Sequence, residues 1–147
     1  MAKRATTPRR EMADLQIKLR ETDRELGRLN WELASELITL AEQSDDPRSL
    51  IEAVEALRSA TRYYTFEDAP REHAQIQKGI ADTLLMLGRK TGDREALGSA
   101  RDAYRGAITL ASLLSDEKLR EELHVSYKET LELLGEGKKP APLFRIA

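Results

Sequence analysis

The chain has no cysteine. That excludes disulfide staples, thiol catalysis and zinc sites built on thiolate, and it suits a reducing compartment. Aromatic residues make up only 5% of the chain, with a single tryptophan, Trp31. Long apolar runs are missing as well. No stretch approaches the ~18 consecutive apolar residues that a membrane-spanning helix needs. The first ten residues are polar and basic with no apolar run behind them, so no secretory signal is visible. No segment alternates apolar and polar in the strand manner, and no glycine-rich phosphate loop is present. These absences predict a soluble, cytoplasmic, all-α protein.

What is present is a repeat of 47 residues without a gap. Leu29, Leu33, Ala34, Leu37, Leu40, Ala41, Asp46, Leu50, Ala53, Arg58 and Ala60 fall on Ile76, Ile80, Ala81, Leu84, Leu87, Gly88, Asp93, Leu97, Ala100, Arg105 and Ala107. A further 47 residues on, Leu123, Tyr127, Leu131, Leu134 and Gly135 return half the pattern. A fixed period of this size means stacked copies of one supersecondary unit that cannot bury its apolar face alone.

Punctuation divides the chain into helices. Asp46-Pro47 offers an N-cap followed by proline, and Pro70 starts another helix. Gly92-Asp93 reads as an exit followed by an entry, and Ser115 precedes two acids suited to the positive end of a helix. Gly135 and Gly137 end the last helix, and Pro140 and Pro142 prevent its restart. Helical apolar spacing between these marks predicts helices over about 9–43, 47–65, 70–90, 93–113 and 116–134, with short turns that make neighbours antiparallel.

The run Leu84, Leu87, Gly88, Ala100, Tyr104, Ala107 has the offsets of the tetratricopeptide-repeat signature, and Leu37, Leu40, Ala41, Ala53, Leu57, Ala60 repeat it in weaker form. The stretch from Gln77 to Gly88, followed by Ala100 to Arg105, resembles the bacterial long-period variety of that repeat. Ordinary units are ~34 residues long; here extended helices lengthen them. Thr91 stands where an aromatic is common, and Thr65 and Ser112 where proline often ends the unit. The resemblance covers about residues 29–135 and implies a short TPR-like α-solenoid of antiparallel helix pairs, closed by a capping helix. Residues 29–137 form the repeat domain in this reading, flanked by a basic, heptad-bearing segment 1–28 and a basic, apolar tail 138–147.

The resemblance also implies a function: a non-enzymatic adaptor or scaffold that binds a peptide or helix of another protein on its concave face. The inner positions are Ser35, Ile38 and Glu42 in the first unit and Asp82, Leu85 and Arg89 in the second, extended by Trp31, Gln75 and Lys78. Glu129 and Glu132 join them from the last helix. Trp31 reads either as core packing near a helix junction or as an interface anchor. Thr39, Met86 and Leu133 occupy the positions where some relatives grip a C-terminal carboxylate with asparagine, which argues against that mode of capture.

In the first thirty residues Met12, Leu15, Leu19, Thr22, Leu26, Leu29 and Leu33 follow a seven-residue period. Met12, Leu15, Leu19 and Leu26 are the candidate self-association residues of a homodimer. The alternative is a bend at Gly27–Asn30 that folds the segment back on its own body.

Charge is unevenly placed. The net charge is −2, yet residues 1–30 carry +3, residues 138–147 carry +3 and the body between them −8. The basic ends read as solvated tails, or as contacts to an anionic surface; the latter makes a nucleic-acid- or membrane-associated regulator the alternative function. The apolar tail Leu143-Phe144-Arg145-Ile146 reads as free, or as filling a groove of its own or a neighbouring copy.

Catalytic signals are weak. His73 and His124 do not occupy equivalent repeat positions, so nothing makes them converge with acids on a metal. Gly88-Arg-Lys-Thr-Gly92 reads as a helix end and turn. The expectation is no catalytic residue, no metal and no cofactor.

Overall fold

The computed structural model describes residues 7–137. The calls on residues 1–6 and 138–147 lie outside them. Five helices and no strand occur among the described residues: α1 (Pro8–Gln43), α2 (Arg48–Ala60), α3 (Pro70–Thr91), α4 (Arg94–Leu113) and α5 (Glu117–Leu134).

The helix ends have local causes. Pro8 and Pro70 occupy the first turns of α1 and α3, where a missing N–H costs nothing and φ is already helical. Asp46 accepts a hydrogen bond from the Arg48 amide at 3.0 Å, and Asp93, 47 residues later, accepts from the Glu95 amide at 2.9 Å. Asp116 caps α5 by accepting from the Leu119 amide at 3.1 Å. Gly92 (φ 69°) and Gly135 (φ 76°) take the left-handed conformation that closes α3 and α5.

The expected second helix, 47–65, is longer than the one found. Helix α2 stops at Ala60, and the chain turns through 61–69. The reason lies in what those residues touch. Tyr63 and Tyr64 pack on α1 at Gly27, where an added Cβ would sit 2.8 Å from Tyr63 Cβ and 2.9 Å from Tyr64 Cε2. Tyr64 also meets Trp31 edge-on at 5.4 Å, and its carbonyl oxygen lies 2.9 Å from His73 Nδ1. Packing of two tyrosines outweighs continuation of the helix. Gly27 is therefore a site of close approach within one uninterrupted helix, and the chain does not leave the helix to fold back there.

Each helix packs against the next in the chain, and α5 also reaches α3. Lys90 near the end of α3 donates to the Ala41 carbonyl near the end of α1 at 3.0 Å, which brings those two ends together. Arg94 at the start of α4 donates to the Leu134 carbonyl at the end of α5 at 2.9 Å, so those two are antiparallel.

Burial follows the 47-residue register. Ala34 and Ala81, Ala53 and Ala100, and Ala60 and Ala107 are pairwise buried, as are Leu50 and Leu97, and Leu57 and Tyr104. Thr83 and Thr130, also 47 apart, are both buried, and each hydroxyl donates to the carbonyl four residues back, at 2.6 and 2.8 Å. Full burial of a leucine such as Leu50 contributes about 1.5–3 kcal/mol. The small residues let the helix backbones approach. A Cβ on Gly88 would lie 2.4 Å from Leu97 Cδ2 and 2.6 Å from its Cγ.

Gly88→Ala is therefore expected to overpack the α3–α4 crossing and cost about 1–3 kcal/mol in urea unfolding. Gly106→Ala, at an exposed helical position where the added Cβ meets nothing within 4 Å, is expected to stabilise by about 0.5–1 kcal/mol. Equal effects of the two substitutions would contradict this assignment of the close approach.

Candidate interaction face on α1, α3 and α5

Lys78, Asp82, Leu85 and Arg89 recur at three- and four-residue steps on α3, which places them along one side of the helix. Their equivalents 47 residues earlier, Trp31, Ser35, Ile38 and Glu42, lie along α1 in the same register. The α1 and α3 sets thus occupy corresponding positions of the 47-residue repeat. Glu129 of α5 reaches the α3 set and forms an ion pair with Arg89.

The α3 set holds a polar network. Lys78 Nζ lies 2.8 Å from Asp82 Oδ2. The Tyr104 hydroxyl, from α4, donates to Asp82 Oδ1. Burial, and then the bond to the Asp82 carboxylate, push the Tyr104 phenol well above its usual pKa; Ser126 and Arg89 act weakly the other way. On the outer side of this network Arg105 Nε donates to the Tyr127 hydroxyl at 3.0 Å.

Unit one carries a different chemistry at the same places. Leu57 stands where Tyr104 does, and Ser35 where Asp82 does. The two positions differ together: a hydroxyl in the core needs an acceptor, and a leucine needs none. Ser35 instead donates to the Trp31 carbonyl of its own helix at 3.2 Å. Trp31 and Ile38 are half-buried and pack against the core, and Glu42 is exposed.

Two predicted residues sit apart from the rest. Leu85 is buried at 4% exposure, so it braces the helix from beneath and offers no surface. Gln75 lines a separate shallow concavity of about 380 Å³ with Arg71 and the α4–α5 turn at Ser115 and Asp116. A larger open cleft of about 810 Å³ lies between the N-terminal half of α1 and the 61–72 turn, and none of the nine predicted groove residues lines it. Its arginines, Arg20, Arg24, Arg28 and Arg62, are matched by Glu21, Asp23, Glu25, Asp68 and Glu72. Arg28 is paired with both Glu25 and Glu32, and its guanidinium holds the Glu25 carboxyl below the usual range. Such mixed charge does not select a polyanion.

The predicted self-association residues all face solvent: Met12 is 61% exposed, Leu15 65%, Leu19 61% and Leu26 40%. His73 is engaged with the Tyr64 carbonyl and the Phe66 ring, and His124 is exposed. Among the described residues no group of three or more His, Asp or Glu could hold a metal ion, and no helix is long and apolar enough to cross a membrane.

No family model, no curated protein and no solved structure matches the chain.

The raised phenol of Tyr104 gives a pH dependence. In the unfolded chain a tyrosine loses its proton near pH ~10, whereas in the fold Tyr104 keeps it. The folded state then binds more protons than the unfolded one, so its contribution is complete below pH ~10 and falls as pH rises, by at most ~1.4 kcal/mol per pH unit. Urea melts of wild type and Tyr104→Phe at successive pH values above 10 are expected to show the wild-type advantage shrinking. A constant gap would contradict the shifted proton.

Proposed function

We propose that this chain is a TPR-like α-solenoid acting as a protein-interaction adaptor, with a partner peptide or helix lying across the side formed by α1, α3 and α5. The observation that carries the reading is the register. Trp31, Ser35, Ile38 and Glu42 on α1 correspond, 47 residues on, to Lys78, Asp82, Leu85 and Arg89 on α3, and α5 adds Glu129. Repeated helices that present equivalent positions side by side form an extended surface suited to a segment of another protein. Half-buried Trp31 and Ile38 supply apolar contact, and Lys78, Glu42 and Arg89 supply orientation through charge. Self-association through Met12, Leu15, Leu19 and Leu26 belongs to the same reading. It makes the adaptor bivalent, which raises avidity for a repeated or dimeric target.

The reading is tested by affinity capture with the intact chain, an Ile38→Glu/Arg89→Glu variant and, as a control on the exposed side of α2, Glu55→Lys. A partner is expected to be retained by the intact chain and the control and lost by the double variant, with far-UV circular dichroism unchanged. Retention should also persist between ~50 and 200 mM salt, where phosphate-driven binding would weaken steeply. Capture that survives the double variant, or that collapses with salt, would contradict the groove and favour a nucleic-acid or membrane contact.

A further inference from the structure

Helices α3 and α5 begin 47 residues apart, at Pro70 and Glu117. By that register α1 should begin at residue 23, yet it begins at Pro8. The extra fifteen residues, 8–22, have no counterpart in the repeat, and every one is exposed. They are not featureless. Met12, Leu15, Leu19, Leu26, Leu29, Leu33 and Leu40 lie on one seven-residue frame, and all are 40% exposed or more. This stripe runs roughly 42 Å along α1, taking ~1.5 Å per residue. It is a second apolar face. The face that holds α1 to the body, through Gly27, Ala34 and Ala41 with half-buried Leu37 and Ile38, lies about 100° round the helix from it.

The origin of the stripe's C-terminal half can be read from the next unit. The α3 positions equivalent to Leu29, Leu33 and Glu36 are Ile76, Ile80 and Thr83, all buried. They lie on the side of α3 shared with Gly79, which faces Leu57 of α2. On α1 the same side is where a preceding helix would stack, and no described helix precedes it. The opposite end of the molecule is treated differently. Gly88 of α3 meets Leu97 of α4, and Ala81 and Leu85 are buried on the same side of α3; their α5 equivalents are Lys128 and Glu132, both exposed. At the α5 end Lys128 and Glu132 interrupt the apolar side around exposed Val125, whereas the α1 end is left apolar and lengthened. Terminal repeats stay soluble by acquiring a polar face or a cap, so the apolar end requires a cap.

We infer that the cap is a second copy of the same chain, with the two α1 helices paired antiparallel over their whole stripe. The inference rests on the self-association proposed above and adds its extent and its orientation. Charge decides the orientation. Residues 1–20 carry six Lys/Arg against two Asp/Glu, whereas residues 29–43 carry Glu32, Glu36 and Glu42 and no basic residue. Antiparallel pairing lays the basic end of each copy against the acidic end of the other. Parallel pairing in register brings Glu36 against Glu36 inside the seam and stacks two basic ends, both unfavourable. The antiparallel register that keeps the seven-residue frame and centres on residue 24 places Leu15 against Leu33 of the second copy, Leu19 against its Leu29, Thr22 against its Leu26 and Met12 against its Glu36. It is two-fold and closed, so it ends at the dimer. The two bodies lie at opposite ends of the paired helices, clear of the seam.

The absence of cysteine makes the test clean. Light scattering behind size exclusion is expected to give a dimer at micromolar concentration, and Leu19→Glu/Leu33→Glu a monomer with unchanged helical content. Single substitutions Leu15→Cys and Leu33→Cys are then oxidised separately and mixed. The antiparallel seam predicts a disulfide dimer in the mixture and little in either variant alone. Disulfide dimers in each variant alone would overturn the orientation while leaving self-association standing. A wild-type monomer would overturn both. A dimer indifferent to the double Glu variant but abolished by removal of residues 138–147 would assign the contact to the tail and overturn the stripe as its seam.

Discussion

The close approach of helices at positions with almost no side chain is the contact on which the rest of this molecule depends. Ala34, Ala53 and Ala60 in the first unit and Ala81, Gly88, Ala100 and Ala107 in the second are all buried. None contributes much apolar area itself. Each instead lets a larger neighbour, such as Leu97 over Gly88, come close enough to exclude water and gain dispersion contacts. These positions recur every 47 residues, so both units bury small residues at the same places.

Two departures from strict repetition carry most of what is individual about the chain. In the second unit a tyrosine replaces leucine at position 104, and the buried hydroxyl is satisfied by Asp82, which in turn holds Lys78. This converts an apolar contact between α3 and α4 into a directional one and fixes the charges beside it. In the first unit the chain leaves its helix at Ala60 so that Tyr63 and Tyr64 can pack on Gly27 and Trp31. That turn packs along the middle of α1, whose first fifteen residues are exposed. The same local choice shapes the open cleft beside α1.

Much of this is legible in the residues. Helix ends marked by proline, by a capping aspartate or by glycine in the left-handed region fall within a residue of where the punctuation puts them, because each mark acts through its own backbone neighbours. The end of α2 is not legible, since 61–65 keeps helical spacing and the competing contact comes from Gly27, more than thirty residues earlier. The burial of Leu85 is likewise set by helices on either side of α3. The Tyr104–Asp82 bond spans 22 residues, yet it leaves a trace: Ser35 and Leu57 change together to Asp82 and Tyr104 across the repeat. That joint change was available in the sequence as a signal that the two positions touch.

The buried core of α2, α3 and α4 orders itself within one chain, whereas the exposed first turns of α1 take their order from what they meet. Hydrogen–deuterium exchange, followed amide by amide at several protein concentrations, tests this most directly. Protection at Ala81, Ala100 and Ala107 should be strong and independent of concentration, whereas protection over residues 8–26 should rise with it, because a helix without tertiary contact frays. Strong, concentration-independent protection over 8–26, or rapid exchange at the buried alanines of α3 and α4, would contradict it.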